Sequence, residues 1–153
     1  MGEHGCAERV GRYTLIDRLA VGGMAELHRV VATAAVDPRF RRVLALKRLL
    51  PHLADDPAHV SMFLDEARLA ARLEHVGLVP VYDVGDDRGV PFFVMPLIEG
   101  VDLRRLGYEC ARTGLRMPPG LVALVGRELL DALEYAHELR DEDGRHLHVI
   151  HRD

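Results

Sequence analysis

Short strand-like runs separated by turn residues constrain the fold most, because they fill most of the sequence from Tyr13 to Ile98. Five such runs can be read, and they are YTLIDRLA, AELHRVVATA, RVLALKRLL, VPVYDVGD and VPFFVMPLI. Gly22 and Gly23 separate the first two runs, and a turn is predicted at Asp86–Gly89 between the last two. The sequence therefore predicts five strands, of which the first pair and the last pair form hairpins.

One helix interrupts these strands, and further helices follow them. Asp56 can cap the first helix, and Pro57 suits its first helical position. Its apolar residues recur at helical spacing, and they are Val60, Phe63, Leu64, Ala67, Ala70 and Ala71. A short helix is predicted over 102–110, and a longer one carries its apolar face over 121–136. Residues 1–11 show neither pattern and are expected to form a flexible leader.

Composition excludes several classes of protein. The chain of 153 residues suffices for one domain, and 48% apolar residues can supply a core. A formal net charge of -4 argues against a nucleic-acid-binding protein. Cys6 and Cys110 form no Cys-x-x-Cys pair, so reduced thiols in the cytoplasm are expected and no metal site is predicted. The longest apolar run, Val90–Ile98, is shorter than the roughly 18 residues that span a bilayer, so no membrane segment is expected.

Three features in chain order carry the functional argument. Glycines at a hairpin tip let backbone N–H groups approach phosphate oxygens, although two glycines often mark only a hairpin. Lys47 lies inside the apolar strand LALK, where it either extends toward solvent or meets an anion. Glu66 borders the apolar stripe of its helix, where it is either solvated or paired. Each feature alone keeps its structural alternative, but a glycine tip, a strand lysine and a helix glutamate follow one another in protein kinases.

The sequence resembles the bacterial Hanks-type serine/threonine protein kinases over residues 11–153. That family typically reads LGxGGMGxV, VAIK or VALK, FxxEAxxxAxLxHPNIVxVYDVG and VMEYxxGxxL. This chain reads LAVGGMAEL, LALK, FLDEARLAARLEHVGLVPVYDVG and VMPLIEGVDL, and it ends on VIHRD. The resemblance implies an α+β fold, with a kinase N-lobe and hinge over residues 12–98. That lobe would hold a five-stranded antiparallel sheet and one helix, and residues 99–153 would form an incomplete C-lobe ending at the HRD motif.

The resemblance also implies a role for each matching residue. Lys47 would contact the α- and β-phosphates of ATP, Glu66 would hold Lys47, and Asp153 would accept or orient the proton of the substrate hydroxyl. The other residues implied to contact ATP are Ala20, Gly22, Gly23 and Ala25 in a lid over the phosphates, Ala45 on adenine, Met95 at the gatekeeper position, Pro96 and Ile98 in the hinge, and Asp102 at the ribose. His151 and Arg152 would be structural and regulatory.

Two departures from the family pattern bear on nucleotide binding. Ala20 and Ala25 stand where the family has glycine, and each methyl group restricts backbone approach to the phosphates. We therefore expect lower nucleotide affinity than in the family. Pro96 stands where the family has glutamate, but proline keeps the backbone carbonyl that the hinge uses. Adenine recognition is therefore expected to survive.

Magnesium is expected for the full kinase domain, but its protein ligands in this family follow the HRD aspartate. The 153 residues end at that aspartate and lack those ligands. Without the metal, charge on the transferring phosphoryl group is not neutralised, which usually costs several kcal/mol of barrier. We therefore expect a truncated kinase domain that is inactive alone.

Three functions remain open from the sequence. The first is ATP-dependent phosphorylation of serine or threonine in a protein substrate, in the cytoplasm. The second is a non-catalytic nucleotide-binding or kinase-docking module, in which exposed C-lobe helices associate with another kinase. The third is a truncated gene product without a separate function.

Overall fold

The computed structural model describes residues 8–32, 42–141, 143–147 and 149. The strands are β1 (Arg9–Val10), β2 (Tyr13–Val21), β3 (Ala25–Ala32), β4 (Val43–Leu49), β5 (Asp83–Asp87) and β6 (Val90–Pro96). The α-helices are α1 (Pro57–Ala70), α2 (Leu103–Thr113) and α3 (Pro119–Glu138), and a 3-10 turn at Pro51–Leu53 precedes α1. Within the described ranges, none of the helices is long and apolar enough to cross a membrane.

The described residues form two compact units. The first comprises the residues up to Arg72 together with Val79–Leu97. The second comprises Leu73–Leu78 together with the residues from Ile98 onward. The sheet and α1 therefore belong to the first unit, whereas α2 and α3 belong to the second.

The sheet is antiparallel, with six strands in the order β1-β2-β3-β4-β6-β5. The α+β class agrees with the sequence analysis, but the predicted number of five strands was one too few. The additional strand is β1, which sequence analysis assigned to the leader. Val10 is fully buried, and Gly11 turns the chain into β2 with a φ of 54°. Two residues are too few to show alternation, so this strand left no readable pattern.

The two faces of the sheet bury different clusters, because successive side chains of a strand point to opposite faces. One cluster consists of Val10, Tyr13, Val30, Leu46, Phe92 and Val94. The other contains Ala25, Leu49, Val90 and Phe93 of the sheet together with Phe63 and Ala67 of α1. Lys47 lies on the α1 side of the sheet, because residues 47 and 49 of β4 point to the same face and Leu49 belongs to the cluster that contains α1.

Helix α1 begins as the sequence predicts. An Asp56 carboxylate oxygen accepts the Ala58 N–H at 2.9 Å, and its other oxygen lies 2.8 Å from Nδ1 of His59. The Ala58 N–H and then the His59 contact lower the pKa of Asp56. Phe63 is fully buried, with its ring centroid 5.2 Å from that of Phe93. Burial of one such side chain contributes about 1.5–3 kcal/mol, which fixes α1 on this face of the sheet.

The sheet curls until β2 and the opposite edge strand β5 meet. The Tyr13 hydroxyl donates to Oδ2 of Asp83 at 2.6 Å, and the Arg12 guanidinium donates to the same oxygen at 2.9 Å. Burial, followed by the hydrogen bond to Asp83, raises the pKa of Tyr13. The Phe92 ring fills the curl, and a Cβ built at Gly85 would lie only 2.5 Å from it. A side chain at position 85 would therefore displace this ring.

The β5–β6 hairpin closes where the sequence predicts a turn. Arg88 and Gly89 have φ values of 55° and 84°, which suit the two-residue loop of an antiparallel hairpin. The Gly89 N–H donates to Oδ1 of Asp86 at 2.8 Å. The predicted fourth run is shorter than expected, since β5 begins only at Asp83.

In the second unit, Leu73–Leu78 packs against α3. The Glu74 N–H donates to the Tyr135 hydroxyl at 3.0 Å, and the His75 ring stacks on the Tyr135 ring with centroids 5.2 Å apart. Nε2 of His75 lies 3.2 Å from Asp131, and its Nδ1 accepts the Gly77 N–H at 3.0 Å. These contacts fix a loop that lies between α1 and β5 in the sequence onto a helix some 60 residues later.

Candidate functional site

Lys47 and Glu66 are brought together across the first unit. Nζ of Lys47 on β4 lies 2.5 Å from Oε1 of Glu66 on α1. The Lys47 side chain is 27% exposed and that of Glu66 45% exposed, and Nζ lies 5.5 Å from the Phe93 ring centroid. An exposed ion pair of this kind contributes only about 0–1 kcal/mol to stability. Its main effect is to hold an ammonium group where a solvent-borne anion can reach it.

Small and apolar side chains surround Lys47 on the same face of the sheet. Ala45 is 4% exposed and lies opposite Met95 of β6 in the strand register. Leu27 of β3 lies directly opposite Lys47 and is partly buried. Sequence analysis did not select Leu27, although alternation along β3 from Ala25 places it on this face. The lysine is therefore bordered by an apolar surface on two neighbouring strands.

The tip between β2 and β3 is formed by Gly22, Gly23 and Met24. The Gly22 N–H donates to the Ala25 carbonyl at 2.8 Å, and neither glycine has a positive φ. A Cβ at Gly22 would meet only the Ala25 carbonyl, at 3.5 Å, and a Cβ at Gly23 would meet nothing within 4 Å. The fold itself therefore does not require glycine at either position. Open space at Gly23 is compatible with a ligand approaching the backbone.

Ala20 and Ala25 occupy different environments at this tip. Ala20 is exposed and lies opposite Leu27 in the register. Ala25 is 6% exposed and packs in the cluster that contains Leu49 and Phe63. The methyl group of Ala25 therefore serves the core, whereas that of Ala20 faces solvent.

The hinge candidates are divided between the two units. Met95 packs against the α1-side cluster, and Pro96 pairs with Leu44 as the last residue of β6. Ile98 is 68% exposed and belongs to the second unit, as does Asp102. An Asp102 carboxylate oxygen accepts the Arg105 N–H at 2.6 Å, and this contact caps α2. Sequence analysis gave Asp102 a ribose contact and did not anticipate its role as a cap.

The expected catalytic aspartate, Asp153, lies outside the described residues, as do His151, Arg152 and Cys6. In the part of the chain that is described, no group of three His, Cys, Asp or Glu side chains could hold a metal ion. The described portion of the candidate site is therefore the nucleotide side, centred on Lys47 and Glu66.

Comparison with known proteins gives sequence relatives and a similar fold. No protein-family model matches the sequence. The tyrosine-protein kinase MasK of Myxococcus xanthus is 38% identical over 146 residues, which is 94% of this chain and 22% of MasK. The serine/threonine-protein kinase PknL of Mycobacterium tuberculosis is 37% identical over 142 residues, which is 93% of this chain and 31% of PknL. The crystal structure of the M. tuberculosis PknI kinase domain matches with a TM-score of 0.63 and 29% identity, covering 86% of this chain and 50% of that one.

The chain spans less than a third of the length of these two curated relatives. The PknI match is to a kinase domain, and it reaches about half of that domain. The similarity thus covers most of this chain and only part of each longer protein.

Proposed function

We infer that this chain belongs to the bacterial Hanks-type protein kinases, and on that premise we propose that it binds ATP as part of a domain that phosphorylates serine or threonine in proteins. The observation that carries the proposal is the ion pair between Lys47 and Glu66. Protein kinases require this lysine–glutamate contact between a strand and a helix for phosphate positioning. A cytoplasmic setting is part of the proposal, because ATP is the donor.

The surroundings of Lys47 fit a nucleotide. Ala45 leaves a flat apolar surface for a base, and Leu27 extends that surface on the neighbouring strand. Gly23 leaves its backbone open to a phosphate group. The Lys47 ammonium, fixed by Glu66, would donate hydrogen bonds to phosphate oxygens, because charge-assisted bonds to phosphate are the strong ones. Ala45 and Leu27 would thus contact the base, whereas Gly23 and Lys47 would contact the phosphates.

The chemical step needs groups beyond this nucleotide side. ATP supplies the phosphoryl group, and the full domain would use magnesium to neutralise its charge. Asp153 is the residue that we propose to accept or orient the proton of the acceptor hydroxyl. The family's magnesium ligands are expected at positions after Asp153, so we propose that the polypeptide 1–153 binds nucleotide without useful turnover.

A thermal-shift titration and a transfer assay test the two parts of this proposal separately. We expect ATP to raise the melting temperature of residues 1–153, because ligand binding to the folded state stabilises it. Absence of any shift at millimolar ATP, with and without magnesium, would contradict nucleotide binding. Magnesium-dependent transfer of radiolabelled phosphate by the same polypeptide would contradict the proposed inactivity. Phosphoamino-acid analysis of a longer, active form would show whether the acceptor is serine, threonine or tyrosine.

A second candidate function, docking to another kinase, is favoured by the surface of α3. Large apolar side chains are exposed along this helix, and they are Leu121, Val122, Leu124, Leu129 and Leu130. Exposed apolar surface of this kind commonly marks an interaction site. Size-exclusion chromatography with light scattering tests it: association is expected at micromolar concentration, and a monomer at every concentration would contradict docking through self-association.

A further inference from the structure

The first turn of α2 presents two guanidinium groups that pair with no carboxylate among the described residues. Arg104 and Arg105 are exposed, and across the described residues neither side chain has an ion-pair or hydrogen-bond partner. Arg112 on the same helix shows the contrast, because it pairs with Glu109 at 2.8 Å. Glu109 is four residues after Arg105 but is already engaged by Arg112. The two unpaired arginines therefore retain their full capacity to bind an anion.

A tyrosine lies beside both arginines on the helix surface. Tyr108 follows Arg104 by four residues and Arg105 by three, and these are the spacings at which helical side chains meet. Tyr108 is 67% exposed, and its hydroxyl has no partner among the described residues. All three side chains, with Asp102, line one concavity of about 410 Å³. The three side chains thus border one open concavity of the α2 surface.

We propose that Arg104, Arg105 and Tyr108, here named the α2 arginine site, bind an acidic segment of the protein substrate. The ligand group is a carboxylate or a phosphate ester, because a guanidinium matches either with two parallel hydrogen bonds. The Tyr108 hydroxyl adds a neutral donor at the rim. The inference rests on the proposed kinase function, and it names the substrate class: proteins that carry an acidic or already phosphorylated segment.

The charges around the site favour a short acidic segment over a nucleic acid. Asp102 is the carboxylate in the concavity, and its oxygen already accepts the Arg105 backbone N–H. Two arginines can neutralise only two ligand charges, whereas nucleic-acid binding draws on many phosphate contacts. The chain also carries a net charge of -4, which opposes a polyanion over the rest of its surface.

Fluorescence anisotropy with labelled peptides tests this inference. Three peptides share a central serine and differ in the flanking residues, which are glutamates, one phosphoserine, or glutamines. We expect the wild-type chain to bind the first two and not the third, with affinity falling between 50 and about 300 mM salt because exposed charges are screened. Arg104→Ala with Arg105→Ala should weaken binding on the order of tenfold, and Tyr108→Phe should weaken it less.

Arg127→Ala is the matched control, because it removes one exposed helical arginine that is paired with Glu128. Peptide affinity should be unchanged in this variant and lowered in Arg104→Ala. Equal losses in both, no binding of acidic peptides by the wild-type chain, or tighter binding of a single-stranded RNA of equal charge would each overturn the inference. ATP binding by the same variants, measured by thermal shift, should be unchanged. If the wild-type chain does not bind ATP at all, that result counts against the proposed function. Failure of the proposed function can therefore be told apart from failure of the α2 arginine site.

Discussion

Glu66 and its neighbour Asp65 are both exposed carboxylates of α1, yet only Glu66 reaches Lys47. Asp65 instead pairs with Arg68 on its own helix at 2.8 Å. We expect Lys47→Met to weaken ATP binding at least about tenfold, because a charge-assisted phosphate contact is lost. Glu66→Gln should weaken it less, since the ammonium remains but is held less firmly. Isothermal titration calorimetry measures both effects.

Asp65→Asn is the control for this pair of substitutions. It removes a carboxylate from the same helix turn without touching Lys47, so ATP affinity should not change. All three variants should unfold within about 1 kcal/mol of the wild type, because exposed ion pairs contribute little. Unchanged ATP affinity in Lys47→Met would contradict the assignment of the nucleotide site.

Gly23 and Gly85 separate a functional need for glycine from a structural one. A Cβ at Gly23 meets nothing within 4 Å, whereas a Cβ at Gly85 lies 2.5 Å from the Phe92 ring. We expect Gly23→Ala to leave the free energy of unfolding unchanged or to raise it by about 0.4–1 kcal/mol, while ATP affinity falls. Gly85→Ala should destabilise by about 1–3 kcal/mol through overpacking. Urea denaturation and calorimetry on both variants check this, and a destabilised Gly23→Ala would contradict it.

The contacts of a single residue were predictable from the sequence where a motif specifies which elements lie next to it. The approach of Lys47 to Glu66 followed from the resemblance, because the motif implies which strand and helix face each other. The cap role of Asp102 and the apolar position of Leu27 were missed. The cap depends on a contact with the backbone of α2 that no motif letter specifies. Leu27, by contrast, is the last residue of LAVGGMAEL, and alternation along β3 from Ala25 could have revealed its position.

Helix α1 gives a pH dependence whose sign follows from its cap. The Ala58 N–H and the His59 contact lower the pKa of Asp56, so the folded state releases this proton more readily than the unfolded state. The stabilisation is therefore present above the ordinary aspartate range and is lost as pH falls through the lowered pKa. Asp56→Asn keeps an acceptor oxygen but cannot titrate.

We expect the Asp56→Asn chain to lose less stability than the wild type between pH 5 and about 2.5. Asp56→Ala, which lacks the acceptor, should be less stable than the wild type at neutral pH as well. Urea denaturation followed by circular dichroism at several pH values measures this difference. Parallel acid profiles for the wild type and Asp56→Asn would show that the cap does not titrate as described.

The order of the strands and helices was easier to predict from the sequence than their ends, and one of the six strands was missed. Alternating runs gave β2, β3, β4 and β6, because their inward residues are apolar on one or both faces. The start of β5 was misplaced because apolar residues continue upstream of Asp83 while the ladder does not. β1 was missed because its pairing depends on the Gly11 turn and on burial of one valine.

At the scale of the whole molecule, the bond from Tyr13 to Asp83 joins two distant strands of one curled sheet. We expect Tyr13→Phe to cost about 1 kcal/mol at neutral pH, the usual net value of such a hydrogen bond. Burial raises the pKa of Tyr13, so its contribution is complete below the ordinary tyrosine pKa and is lost as pH rises toward the folded-state pKa. The wild type should therefore lose stability at alkaline pH more steeply than Tyr13→Phe. Denaturation curves between pH 8 and about 11 check this, and equal alkaline slopes would refute it.

The loop Leu73–Leu78 makes the two units inseparable by a single cut. The chain passes from one unit to the other after Arg72, after Leu78 and again after Leu97. A recombination event with one breakpoint at residue 97 would separate His75 from Asp131 and Tyr135. The helix encoded by the incoming sequence would then have to pack against the loop Leu73–Leu78 of a different protein. Shuffling among related genes should therefore succeed only where both sides of this contact travel together or already match, and inheritance of the two units should be linked for that reason.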